Sequence, residues 1–255
     1  MCLLALAWRS HPDYSLILAG NRDERHARAS AAAAFWPDVP ELLAGHDLEA
    51  GGTWLGLSTS GRYAVVTNYR EGLAPAKAPR SRGALTAEFL KRHVTPEEYL
   101  HEVQSRSGEY GGFSLVVGDR DSLWYFANRG GAAPAPIAAG VHALSNHLLN
   151  TPWPKVQAAK ARMKLLLDTG AMSVDALLKM LADRTPAATG LPDTGIGAEL
   201  ERRVSAAFVA DPVYGTRCST VVMLHRDGSW RFSERRFDAQ ATPIETRHFQ
   251  AGDAK

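Results

Sequence analysis

Cysteine is scarce in this chain of 255 residues, which contains only Cys2 and Cys218. Two cysteines could form at most one disulfide, and disulfides are rare in reducing compartments. The nine histidines are scattered, and no Cys/His cluster has the spacing of metal ligands. We therefore expect no disulfide scaffold, no bound metal and no cofactor.

Long apolar runs and an excess of one charge are also missing. No apolar run approaches the ~18 residues that span a bilayer, and no basic segment precedes the first apolar stretch, as it would in a signal peptide. Lys and Arg number 29 against 27 Asp and Glu, which gives a net charge of +2 without a basic stripe. The sequence predicts a cytoplasmic protein with no membrane span and no nucleic-acid partner.

Strand patterns occur in pairs along the chain. We expect four hairpins and one short strand at Val141–Ser145. The hairpins pair Cys2–Trp8 with Tyr14–Gly20, Thr53–Thr59 with Arg62–Asn68, Phe113–Gly118 with Leu123–Asn128, and Cys218–His225 with Ser229–Phe237. Segments Ala29–Ala34, Ala74–Pro79 and Ala132–Ala139 are interpreted as surface loops. Several strands are apolar at successive positions, which is typical of strands covered on both faces.

Helical periodicity falls in two blocks that alternate with the hairpins. The first block covers about Leu85–His93 and a helix opened by the capping box at Thr95 and Glu98. The second block has a helix ended by Gly170, one capped by Ser173, and one over about Ala198–Phe208. This order predicts an α+β protein in which two antiparallel sheets pack together and helices cover them outside. We expect a single domain over residues 1–250 and a tail over 251–255.

Cys2 is a candidate nucleophile because aminopeptidases remove Met1 when the next residue is small. The exposed terminus would carry an α-amine of pKa near ~8 beside a thiol of pKa near ~8.5. A largely neutral amine could deprotonate its own thiol, which is how an N-terminal nucleophile works. The alternative is that Cys2 is a small buried residue at the start of a strand.

Hairpin geometry predicts a charged cluster beside Cys2. If Trp8 faces Tyr14, Cys2 lies opposite Gly20, and Asn21-Arg22-Asp23-Glu24 follow directly. Arg22 could lower the pKa of the thiol, and Asp23 could orient the amine. The alternative is a solvated turn at the end of a strand.

Three further polar residues follow or enter predicted strands. Asn68 and Asn146 carry amide groups of the kind that stabilise an oxyanion, although each could equally be a turn residue or a helix cap. Arg217 enters a buried strand and could pair with Asp23 or with a substrate carboxylate, or could be an ordinary strand-edge arginine.

Taken together, these motifs resemble the NRDE family, which includes the transport-and-Golgi-organisation proteins. The marks are Met1-Cys2, Asn21-Arg22-Asp23-Glu24, Gly51-Gly52-Thr53-Trp54-Leu55-Gly56, Thr67-Asn68-Tyr69-Arg70, Leu144-Ser145-Asn146 and Tyr214-Gly215-Thr216-Arg217-Cys218-Ser219-Thr220. The family is similar to the N-terminal nucleophile (Ntn) hydrolases, and this resemblance implies a four-layer αββα sandwich.

The resemblance also implies roles for particular residues. By similarity to penicillin V acylases and bile-salt hydrolases, Cys2 would be the nucleophile, while Arg22 and Asp23 would match an Arg and an Asp after the second strand. Asn21 or Glu24 could hold one of those two roles instead, because the spacing differs. Asn68 and Asn146 would supply oxyanion contacts, and Arg217 would match a late arginine.

Two functions are compatible with the resemblance. One is an amidohydrolase that cleaves a linear, non-peptide C–N bond of an N-acyl small molecule after removal of Met1. The other is a non-enzymatic carrier of haem, a lipid or another hydrophobic ligand. The presence of all six matched residues favours the enzyme, because a carrier needs no oxyanion donors; they are Cys2, Arg22, Asp23, Asn68, Asn146 and Arg217. For haem, His147 would be the first candidate ligand.

Overall fold

The computed structural model describes residues 3–73 and 78–251. Its strands are β1 (Leu3–Trp8), β2 (Tyr14–Arg25), β3 (Ser30–Trp36), β4 (Val39–Asp47), β5 (Leu55–Ser58), β6 (Tyr63–Asn68), β7 (Phe113–Gly118), β8 (Leu123–Ala127), β9 (Ala135–Pro136), β10 (Gly140–Leu144), β11 (Tyr214–His225), β12 (Trp230–Phe237) and β13 (Pro243–Gln250). Its helices are α1 (Arg82–Lys91), α2 (Pro96–Ser105), α3 (Pro154–Asp168), α4 (Val174–Leu181) and α5 (Ala198–Arg203), with a short 3₁₀ turn at Ser107–Glu109.

The strands form two antiparallel sheets. The first has the order β10-β1-β2-β11-β12-β13, and the second runs β3-β4-β5-β6-β7-β8-β9. Side chains of alternate strand residues meet between the sheets, as Leu4, Leu18 and Val222 do. The intervening residues face outward, where α3 and α4 cover the first sheet and α1 and α2 cover the second. The predicted αββα sandwich is confirmed.

Local sequence explains where most helices begin and end. The capping box predicted at Thr95 is present, because its hydroxyl accepts from the Glu98 N–H while the Glu98 carboxylate accepts from the Thr95 N–H. Ser173 caps α4 through the N–H of Ala176. Gly170, just beyond α3, has a φ of 65°, which glycine adopts without a steric cost. The helix expected over Ala198–Phe208 is shorter and ends at Arg203.

Two expectations from the sequence are wrong, and a third is partly wrong because the predicted loop Ala132–Ala139 includes the two-residue strand β9. The segment Ala29–Ala34 is not a surface loop, because β3 begins at Ser30 and buries Ala33 completely. The first hairpin is also offset by two residues: Trp8 pairs with Leu16 rather than Tyr14, so Gly20 faces Leu4. Residues 74–77 of the predicted loop at 74–79, and residues 252–255 of the predicted tail, lie outside the described residues.

No helix in the described ranges is both long enough and apolar enough to cross a membrane.

Candidate functional site

The candidate site lies at the start of β1 and the end of β2, next to the amino terminus. Leu3 is the first described residue and pairs with Asn21 of β2. Met1 and Cys2 lie outside the described residues, so the proposed nucleophile has no described contacts. Cys2 directly precedes Leu3 in the sequence. The surroundings of Leu3 and of the last residues of β2 therefore define the site.

Arg22 is a buried cation on the intersheet face of β2. Its side chain is 4% exposed, its guanidinium carbon lies 4.3 Å from the ring centroid of Trp54, and Nη2 lies 3.5 Å from the Asp47 carboxylate. Arg28 donates to the same carboxylate over 2.8 Å. The ring of Trp54 and the carboxylate of Asp47 thus hold the positive charge of Arg22 in place. The alternative that this residue belongs to a solvated turn is therefore wrong.

Asp47 stays ionised between these two arginines. Burial of its carboxyl acts to raise its pKa, but the hydrogen bond from Arg28, the Ala50 N–H and the nearby positive charges outweigh burial, so the pKa is lowered. Asp47 also accepts from the N–H groups of Glu49 and Ala50 and so orders the turn after β4. Nothing in the sequence singled out Asp47, because its partner Arg22 is 25 residues away.

Trp54, which stacks on Arg22, is held by close backbone contacts. A Cβ placed on Gly45 would lie 2.4 Å from the indole ring of Trp54. A Cβ placed on Gly52 would lie 2.4 Å from the carbonyl carbon of Gly83, in the first turn of α1. Contacts this short require glycine at both positions. These close backbone contacts therefore fix the position of Trp54.

Asp23 and Asn21 face the opposite side of β2 from Arg22, because strand side chains alternate. Asp23 is 4% exposed and accepts a 2.7 Å hydrogen bond from the hydroxyl of Thr216. Asn21 donates to the carbonyls of Leu181 and Ala207 and so ties the outer helical layer to the sheet. Asn21 therefore has a structural role, and the four predicted cluster residues do not act as one group.

Asn68 and Asn146 are in direct contact. The amide of Asn146 donates to the backbone carbonyl of Asn68 over 3.1 Å. Asn146 has a φ of 48°, a left-handed conformation that asparagine tolerates better than most residues. Across residues 3–73 and 78–251 the side-chain amide of Asn68 makes no hydrogen bond, and it lines two adjoining cavities.

Arg70 and Glu201 support Asn146, and neither was assigned a role from sequence. Arg70 donates to Oδ1 of Asn146 over 3.0 Å and to Glu201 over 2.7 Å. Glu201 is 2% exposed and also accepts from the N–H and the hydroxyl of Thr194. Arg70 falls within the Thr67–Arg70 motif, which could have drawn attention to it, whereas no local pattern distinguishes Glu201.

Arg217 does not pair with Asp23, which corrects one interpretation of its role. It is the extra residue of a bulge, since Thr216 pairs with Asp23 and Cys218 with Arg22. Its guanidinium donates to the carbonyls of Arg25, His26 and Arg28 over 2.9–3.1 Å. Arg217 thus closes the turn that follows β2.

Two cavities adjoin at Asn68. The first, of about 450 Å³, has a mainly apolar surface that includes Leu73, Leu200 and Val213, and four arginines also contribute to its lining. The second, of about 630 Å³, is lined by five arginines and two carboxylates, among them Arg22 and Asp47. Arg25, Asn68 and Arg82 line both. Small-molecule sites commonly fall between about 300 and 1,000 Å³, so each cavity could hold part of a ligand.

The environments of His147 and Cys218 do not suit them for binding a ligand. The ring nitrogens of His147 lie 2.6 Å from the Tyr69 hydroxyl and 2.9 Å from the Thr151 hydroxyl, so the residue does not fit as an axial ligand to haem. Cys218 is buried, and burial together with Glu234 raises the pKa of its thiol well above the usual value. No group of three or more metal-ligating side chains occurs in the part of the chain that the structure describes.

The sandwich of two antiparallel sheets between helical layers defines the fold as Ntn-hydrolase-like. It is similar to penicillin V acylase from Agrobacterium tumefaciens, with a TM-score of 0.50 and 14% identity over 98% of this chain and 85% of that one. It is also similar to a mutant of the conjugated bile acid hydrolase from Clostridium perfringens, with a TM-score of 0.52 and 10% identity over 98% and 92% of the two chains. At these identities the likeness concerns the fold alone.

The chain belongs to the Transport and Golgi organisation 2 family, whose model matches residues 1–239. A homologue of Transport and Golgi organization protein 2 from Bos taurus is 37% identical over 92% of both chains. A homologue from Homo sapiens is 35% identical over 98% of both chains. The family resemblance drawn from the sequence motifs is confirmed.

Proposed function

We propose that this chain is a cysteine Ntn amidohydrolase that cleaves the linear amide bond of an N-acyl small molecule. After removal of Met1, the thiol of Cys2 would attack the amide carbon while its own α-amine takes the thiol proton. Collapse of the tetrahedral intermediate would break the C–N bond, and the ammonium would return the proton to the leaving amine. Water would then hydrolyse the thioester and release the acid.

Arg22 and Asp23 would support this chemistry from opposite faces of β2. The proposal requires the thiol to lie on the intersheet face, where Leu4, two residues further along β1, already lies. Arg22, a buried cation on that face, would favour the thiolate. Asp23, held by Thr216, would orient the terminal amine. Arg217 would act indirectly, by fixing the turn that carries Arg25 and Arg28.

Asn68 and Asn146 would form the oxyanion hole. The hydrogen bond that the Asn146 amide donates to the Asn68 carbonyl places the two side chains next to each other. Arg70 and Glu201 hold the Asn146 amide from the other side, so it needs no reorganisation during the reaction.

The observation that carries the proposal is the amide of Asn68. The side-chain amide of Asn68 has no hydrogen-bond partner among the described residues, and Asn68 lines both cavities. The backbone carbonyl of Asn68 accepts a hydrogen bond from the Asn146 amide. Polar side chains in such a position usually bind ligand atoms. An amide donor in a cavity can stabilise a developing oxyanion, and this is the role that we propose for Asn68.

Covalent labelling tests the mechanism directly. Intact mass should show loss of Met1, and incubation with N-acyl amino acids or aromatic acyl amides should add the mass of the acyl group. Cys2→Ala should abolish this adduct, whereas the matched control Cys218→Ala should retain it, because the Cys218 thiol is buried. Retention of Met1 in protein from a host with normal aminopeptidase activity would refute the proposed base.

A non-enzymatic carrier is the competing function, and the apolar cavity beside Asn68 would suit one. A carrier would bind haem or an acyl chain stoichiometrically, form no adduct, and be indifferent to Cys2→Ala. Stoichiometric binding of haem or an acyl chain that is retained in Cys2→Ala, together with no adduct from any acyl donor, would establish the carrier in place of the enzyme.

A further inference from the structure

The two cavities beside Asn68 differ in chemistry, and this difference bears on the substrate. The apolar cavity presents Leu73 and Val213, each 70% exposed, at its rim. These are two of the five large hydrophobic side chains that the described residues leave exposed. Two such side chains at the mouth of one cavity indicate a ligand that packs against them, because scattered apolar residues would not converge.

Deeper residues extend the same apolar surface. Ile196 and Leu200 are half-buried in the wall formed by α5 and the segment before it, and Val209 closes the far side. Glu201 fastens this wall to Arg70 and hence to Asn146. The apolar surface is thus continuous with the amides that would hold the acyl oxygen.

The second cavity is positively charged. It is lined by Arg22, Arg25, Arg28, Arg80 and Arg82 against Glu24 and Asp47. Most of these arginines have carboxylate partners: Arg28 binds Asp47, and Arg80 binds Glu88 and Glu109.

Arg25 differs from Arg22, Arg28 and Arg80, which lie closer to their carboxylate partners. Its side chain is 66% exposed, and the nearest carboxylate among the described residues, that of Glu24, lies 4.0 Å away. That distance is beyond a hydrogen bond, and the guanidinium donates to no other described residue. Five N–H donors at the junction of two cavities match a ligand carboxylate, which guanidinium binds in a bidentate manner.

From this arrangement we infer the substrate class: an amide of an apolar acyl group with an amine that carries a carboxylate, in other words an N-acyl amino acid. This inference rests on the proposed function. The acyl chain occupies the apolar cavity, the amide carbonyl lies at Asn68 and Asn146, and the carboxylate of the amine half binds Arg25 in the arginine-lined cavity. Neutral amides of the same acyl group have no carboxylate and therefore cannot make the contact with Arg25.

Binding to Cys2→Ala tests the inference without any reaction. We would titrate N-dodecanoylglycine, N-dodecanoylethanolamine and N-hexanoylglycine into this variant by calorimetry. The glycine conjugate should bind about tenfold or more tightly than the ethanolamine conjugate, as expected for a charge-assisted contact. Each methylene should improve the affinity by about fourfold until the apolar cavity is filled.

Matched second substitutions separate the two contacts. Arg25→Met should reduce the preference for the carboxylate to about twofold, whereas Arg231→Met, at an exposed position of β12, should leave it unchanged. Leu73→Ser should weaken the dependence on chain length, and Leu165→Ser, at a 60% exposed site on α3, should not. All four positions are surface positions, so the variants should fold.

The outcomes of these titrations are distinct from those of the labelling test. Equal affinity for the glycine and ethanolamine conjugates, or an affinity independent of chain length, would overturn the substrate class. Discrimination in Cys2→Ala without a thioester in the wild-type protein would retain the binding inference and refute the hydrolase. A thioester formed equally well from both conjugates would support the hydrolase and refute the substrate class.

Discussion

Substitution of Glu201 tests whether the Arg70–Glu201 pair holds Asn146 in position. Glu201 is far from the proposed nucleophile in sequence. Its buried carboxylate accepts from Arg70 and twice from Thr194. Glu201→Ala would leave the Arg70 guanidinium without its carboxylate and Thr194 without its acceptor. Breaking a buried ion pair by removing one partner costs roughly 3–5 kcal/mol. The Arg70 side chain is 14% exposed and can be partly rehydrated, so we take about 3 kcal/mol.

That loss should be visible in thermal unfolding. For domains of 150–250 residues, 1 kcal/mol corresponds to roughly 2–4 °C, so Glu201→Ala should lower Tm by about 6–12 °C. Acylation of Cys2 should also slow by about tenfold or more, because Arg70 would no longer hold the Asn146 amide. Thermal unfolding and the rate of mass increment by an acyl donor measure the two effects on one preparation.

Glu199→Ala is the matched control, since Glu199 lies exposed on the same short helix. It should change the stability by less than about 0.5 kcal/mol and leave acylation unchanged. If Glu201→Ala behaves like Glu199→Ala in both assays, the Arg70–Glu201 pair neither stabilises the cleft wall nor positions Asn146.

Three further outcomes follow from the site. Asn68→Ala should leave Tm nearly unchanged, since no described residue binds its side chain, but should slow acylation by about 10²–10³-fold; a normal rate would exclude its oxyanion role. Asp23→Asn should slow labelling of Cys2 by about tenfold or more, and Arg22→Met should raise the pH midpoint of labelling; unchanged labelling in folded protein would leave the cluster structural. The lowered pKa of Asp47 contributes stability that is complete above its unfolded pKa of about 3.9 and is lost as the pH falls through the lower folded value. The difference in urea unfolding between wild type and Asp47→Asn should therefore be constant at neutral pH and shrink as the pH falls below about 3.9, and a difference that stays constant through the acid range would contradict this linkage.

The layers could be predicted from sequence because the hairpins and helices have strong local signals. The apolar run Leu3–Ala7 predicts a strand covered on both faces, and the capping box at Thr95 marks a helix start. The pair β3 and β4 was missed because Ala31–Ala34 has neither β-branched nor aromatic residues. What holds Ala33 in a strand is a distant contact, the Glu234 carboxylate that accepts its N–H.

The site was predicted less completely than the fold, for two physical reasons. Register depends on turn conformation, and the turn from Arg9 to Ser15 shifts the pairing by two residues, closing with a hydrogen bond from the Arg9 N–H to the Ser15 carbonyl. Side-chain alternation then separates Arg22 from Asp23. Asn68 and Asn146 were found because each follows a strand, whereas Glu201 acts through a contact 131 residues distant in sequence.

The contact between Gly52 and Gly83 has a consequence for how this cleft can diverge among relatives. One wall is set where two backbones meet with no space for a methyl group, so substitutions there would move α1 and Trp54 as a unit. The apolar cavity presents side chains such as Leu200 and Val213 that can be exchanged without moving the backbone. Changes in the size of the proposed acyl group should therefore accumulate at these positions, and directed evolution of selectivity should begin there.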